Sequence, residues 1–88
     1  MKPRKLPNTK RERFAMAAVM RKLRAGMHPK PKQYEVAAQS GVLREQISNL
    51  ETGTKKRLCL YNDISRLARV YNIKPHQIVL MWEQEMER

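Results

Sequence analysis

The stretch Gln33–Gly53, QYEVAAQSGVLREQISNLETG, constrains this chain more than any other, because its spacing reads as a helix, a tight turn and a second helix. Ala37 and Ala38 put small side chains where a second helix can come close, and Gly41 stands where the turn calls for positive φ. Val42, Ile47 and Leu50 then give the second helix an apolar side. With those residues turned inward, Arg44, Glu45, Gln46, Ser48 and Asn49 are left more exposed. The spacing predicts helices over about 32–39 and 43–52.

The flanks extend this to an all-α reading with five helices. Thr9-x-x-Glu12 is a capping box, and Phe14, Met16, Ala17, Met20 and Leu23 carry an apolar face until Gly26, predicting a first helix over about 10–25. Pro29 and Pro31 punctuate the loop that follows. Ile64, Leu67, Ala68 and Tyr71 repeat at helical spacing, with Asn72 as a left-handed C-terminal residue. Pro75 suits the first turn of a last helix over about 75–87. In 88 residues this makes one small domain, 9–88, behind a basic, flexible arm over 1–8 that carries prolines at 3 and 7.

A formal charge of +11 calls for a polyanionic partner, either nucleic acid or an anionic membrane surface. The excess is uneven. Residues 1–32 hold eleven Lys and Arg against Glu12 alone, whereas the helix pair and its following loop are nearly neutral. No apolar run approaches the roughly 18–20 residues of a transmembrane helix, and MKPRKLPNTKRER lacks the apolar centre of a secretory signal, so a cytoplasmic protein is expected. Cys59 has no second cysteine to pair with and reads as a small buried residue. His28 and His76 stand apart from any metal-ligand spacing. With no phosphate-cradling glycine loop and no nucleophile–base pairing, the expectation is no enzyme, no cofactor and no metal.

Gln33, Ala37, Gly41, Ile47, Glu51 and Gly53, with the basic segment ETGTKKR, resemble the Cro/phage-repressor (Xre-type) helix-turn-helix family. The resemblance extends more loosely from about Leu23 to about Ile78, and implies a compact five-helix lambda-repressor-like domain that binds double-stranded DNA as a transcriptional regulator. It implies base reading in the major groove by Arg44, Glu45, Gln46 and Asn49. Their chemistry suits that role: Arg forks onto guanine, Asn or Gln pairs with adenine, and Glu accepts from cytosine. Phosphate positioning is expected from Lys32, Gln33, Ser48, Lys55, Lys56 and Arg57. A pair between Arg24 and Glu51, with Arg21 as competitor, is expected to brace the first helix against the third. Lys2, Arg4 and Lys5 in the arm are expected to track phosphates or enter the minor groove. The chain departs from the family pattern where Lys32 and Leu43 replace the usual helix caps, and where two prolines lengthen the loop before Gln33.

The segment PHQIVLMWEQEMER has more apolar residues than one face of a small core needs, with five consecutive from Ile78 to Trp82. Ile78, Val79, Met81 and Trp82 are therefore expected to form a homodimer surface, which would set two recognition helices about 34 Å apart on an inverted repeat. A bacterial, phage or plasmid repressor acting at the nucleoid is the leading expectation. Two alternatives stay open: an antitoxin or adaptor whose C-terminal helix binds a partner protein, and an RNA-binding module. The latter is weakened because Phe14, Tyr34, Tyr61, Tyr71 and Trp82 form no stacking pattern. A membrane role is weakest, since the apolar face of the basic first helix is needed for the core.

Overall fold

Five α-helices and no strand make up residues 9–54 and 61–88, the part of the chain described by a computed structural model. In chain order they are α1 (Lys10–Ala25), α2 (Gln33–Ser40), α3 (Arg44–Thr52), α4 (Tyr61–Val70) and α5 (Pro75–Met86). The arm with Lys2, Arg4 and Lys5, and the segment with Lys55, Lys56, Arg57 and Cys59, lie outside the described residues.

Helix α1 opens on a complete capping box. The Thr9 hydroxyl accepts from the Glu12 amide at 3.2 Å, and the Glu12 carboxylate accepts from the Thr9 amide at 3.1 Å. Two orphan donors of the first turn are thereby satisfied. Helices α2 and α5 keep only the returning half of such a box. Glu35 accepts from the Lys32 amide at 2.8 Å, and Gln77 accepts from the Lys74 amide at 2.7 Å, while neither lysine side chain caps. Lys32 and Leu43 stay in non-helical backbone as N-caps, so α2 and α3 begin one residue later than their apolar periodicity suggests.

The helix ends follow from backbone geometry. Asn72 adopts φ 58°; its amide donates to the Arg69 carbonyl at 3.2 Å, and the Ile73 amide reaches back to the Ala68 carbonyl at 3.0 Å. This paired closure occupies two of the last free carbonyls of α4, those of Ala68 and Arg69. Gly26, by contrast, ends α1 in a right-handed conformation that any residue could adopt.

Helix α1 packs against both α3 and α5, α2 lies on α3 and α4, and α4 closes on α5. Between them sit Met16, Met20, Val36, Ile47, Leu67 and Ile78, all essentially sealed from solvent. Each such aliphatic side chain contributes about 1.5–3 kcal/mol through burial. The run Ile78–Trp82 divides around α5: Ile78 is fully buried, and Met81 and Trp82 pack on the core from its edge. The Trp82 indole nitrogen donates to the Glu12 carbonyl at 3.0 Å. Only Leu80, 53% exposed, turns clearly outward, beside the half-buried Val79.

Gly41 and Gly53 take φ of 79° and 70° at the ends of α2 and α3, but their surroundings differ. A Cβ on Gly41 meets nothing within 4 Å, whereas one on Gly53 falls 2.7 Å from the Phe14 ring and 3.2 Å from the Arg13 carbonyl. Gly41→Ala should therefore cost about 1 kcal/mol from backbone strain alone. Gly53→Ala should cost about 2–3 kcal/mol, because α1 must also shift. Denaturant midpoints of the two variants test the difference, and equal losses would show that α1 yields freely.

Candidate nucleic-acid interface

Helix α3 divides its residues cleanly. Ile47, Leu50 and Glu51 face inward, while Arg44, Glu45 and Thr52 are exposed and Ser48 and Asn49 are half-buried. The outward set recurs at steps of one and four residues and forms a single stripe along the helix. Among the described residues no side chain pairs with Arg44 or Glu45. Gln46 stands on the flank of the stripe, where its amide donates to Asp63 of α4 at 3.4 Å, the limit of a hydrogen bond. Thr52 extends the stripe by one turn beyond Ser48, and its hydroxyl bonds back to the Ser48 carbonyl at 3.1 Å. Continuing the four-residue step from Ser48 would have identified it from sequence.

The inward charge on α3 is what fixes this stripe. Glu51, only 4% exposed, accepts a two-pronged contact from Arg24, Nε to one oxygen at 2.8 Å and Nη2 to the other at 2.7 Å. The Gln33 amide nitrogen adds a third contact at 3.2 Å, and the remaining Arg24 nitrogen donates to the Pro31 carbonyl at 3.1 Å. Arg21, the competing partner, bonds to the backbone carbonyl of Glu51 instead. The hydrogen bond that Arg24 donates to Glu51, opposed by burial, holds the guanidinium more firmly protonated than usual. Gln33, which the family resemblance assigns to phosphate positioning, thus spends its amide nitrogen on Glu51. Lys32 beside it is exposed, its ammonium 5.9 Å from the Tyr34 ring centre.

Much of the α1 charge is engaged inside the molecule. Arg13 donates to the Gly53 carbonyl at 3.2 Å, joining Arg21 at the C-terminus of α3. Arg11 donates to the Met86 carbonyl at the end of α5, and Lys22 pairs with Glu85 at 2.9 Å. These cations sit where helix C-termini carry partial negative charge. Lys22, with help from Arg88, holds the Glu85 carboxyl below its ordinary range. Sequence alone places none of the contacts from Arg11, Arg13, Arg21 and Lys22, since they join residues 30 to 75 positions apart.

The surface expected from the C-terminal helix is smaller than its composition implies. Ile78 belongs to the core, which removes it from the four residues named for a dimer contact, while Met81 and Trp82 pack against the core and are only partly buried. Val79 remains, next to Leu80, His76 and Tyr61 in a shallow groove between α4 and α5. Among the described residues no group of three or more His, Cys, Asp or Glu could hold a metal ion, and no helix is long and apolar enough to cross a membrane. The chain matches no family model, no curated protein and no solved structure.

Removing the carboxylate with Glu51→Ala leaves Arg24 largely buried without its partner, and should cost about 3–5 kcal/mol. Replacing both residues, Arg24→Met with Glu51→Leu, should recover much of that loss; a double variant as unstable as the single one would refute this account. Tyr71 offers a pH test, its hydroxyl pushed up to about 12 by burial first and by the Glu51 carboxylate second, against the opposing Arg24. The unfolded chain releases this proton first as pH rises, so the stability it carries is complete below about pH 10 and is lost between about 10 and 12. Tyr71→Phe should flatten that part of the stability curve, measured by chemical denaturation at each pH.

Proposed function

We propose that this chain is a sequence-specific double-stranded DNA-binding regulator of the Cro/phage-repressor type, with its helices in a lambda-repressor-like arrangement and α3 in the major groove. The observation that carries the reading is the outward stripe of α3, where Arg44 and Glu45 open the helix and Asn49 follows one turn later, all away from the core. A helix whose first turn is free and whose inner face is anchored by a buried ion pair can enter a groove without rearranging. The stripe combines a forked donor, an acceptor and an amide, the set that distinguishes base pairs by their major-groove edges.

Affinity in this reading comes from phosphate neutralisation by exposed cations such as Lys30 and Lys32, together with the arm and the Lys55–Arg57 segment. Arg11, Arg13 and Arg21 each give one nitrogen to a helix end, which fixes their position, and they add to the positive field there. A two-fold pair of chains on an inverted repeat belongs to the same proposal, and the length of the protected footprint reports it.

Selection of bound sites from random duplex DNA should return a short preferred sequence. Arg44→Ala should then weaken binding to that sequence by about 1–3 kcal/mol and relax the preference at one base position. Equal weakening on selected and random duplexes would remove Arg44 from base reading. Selection of single strands, or copurification of a partner protein with no duplex preference, would favour the RNA-binding or adaptor alternatives.

A further inference from the structure

The most exposed large apolar side chain on the described surface is Leu43, at 76% exposure, and it stands at the N-cap of α3. Neither local stability nor core packing accounts for leucine there. The N-cap is where Ser, Thr, Asp or Asn satisfies an orphan amide, and Leu43 makes no such bond. The apolar demand of the turn is met by its neighbour Val42, which is 3% exposed and part of the core. Leu43 is followed by the exposed Arg44 and Glu45 and preceded by the buried Val42, so it stands as a single apolar side chain beside polar, hydrogen-bonding ones. That chemistry matches one feature of a duplex. The major groove is lined by donors and acceptors, and its one apolar group is the C5-methyl of thymine. A protein partner would call for a contiguous apolar patch, which these neighbours do not offer.

We infer that Leu43 is a specificity-determining residue that packs against the C5-methyl of a pyrimidine, so that the preferred site carries thymine beside the base read by Arg44. The inference rests on the DNA-binding reading above and adds a base identity to it. The methyl carbon is the group recognised, so 5-methylcytosine presents the same contact and cytosine does not. Leu43 reads the methyl by burial alone, with no hydrogen bond, and the contact is worth about a fourfold change in affinity per methyl.

The test uses the full chain and the duplex recovered by selection, with each thymine replaced in turn by deoxyuridine, which removes only the methyl. Wild type should lose about fourfold at one position per half-site, and Leu43→Ala should bind the thymine and deoxyuridine duplexes equally. Leu43→Ser provides a second readout, since it restores a cap: the free protein should melt about 4 °C higher while methyl discrimination disappears. A merely structural leucine would move stability and binding in the same direction. If deoxyuridine leaves wild-type affinity unchanged at every position, or Leu43→Ala keeps the wild-type discrimination, the inference is overturned while the DNA-binding reading stands. If selection returns no preferred duplex, both fall together.

Discussion

The Glu51 carboxylate is the point on which α1 and α2 are positioned against α3. Taking a carboxylate and a guanidinium out of water is costly, and the cost is offset only when the remaining donors and acceptors are also occupied. Here they are: Arg24 uses all three nitrogens on Glu51 and Pro31, and Gln33 reaches the same carboxylate from α2. One buried group therefore ties α1, α2, α3 and the proline loop into one geometry. The direction of the α3 stripe is set from the inside, by a charge that never reaches the surface.

Positive charge in this protein has two distinct uses. Arg11, Arg13 and Arg21 donate to carbonyls at the ends of α5 and α3, where they complement the helix dipoles and close exposed backbone acceptors. Their charge remains near the surface and adds to the field, while the nitrogen each gives to a carbonyl holds the side chain in place. A basic composition is thus partly a means of closing helix ends: α3 has only nine residues and lacks a side-chain cap at its start.

Where local rules act alone, the residues were readable in advance. The Thr9–Glu12 box and the apolar period that follows account for both ends of α1, and Asn72 closes α4 in the left-handed conformation its side chain tolerates. The starts of α2 and α3 were less readable, because Lys32 and Leu43 carry no capping oxygen to mark the boundary. The run Ile78–Trp82 was unreadable in a stronger sense. Five consecutive apolar residues cover every side of a helix, and the approach of α1 and α4 selects Ile78 as the buried one, with Met81 and Trp82 at the edge of the core.

The sequence by itself determined the helical class, the turn at Gly41 and the residue types on the outer face of α3, since these depend on neighbours within about one or two helical turns. Tertiary structure decided the rest: which arginines serve helix ends, that Gln33 turns to Glu51 and Gln46 towards Asp63, and that the C-terminal helix keeps little apolar surface outside. Those outcomes depend on distances between residues far apart in the chain, where electrostatics and packing act through space and leave no periodic trace.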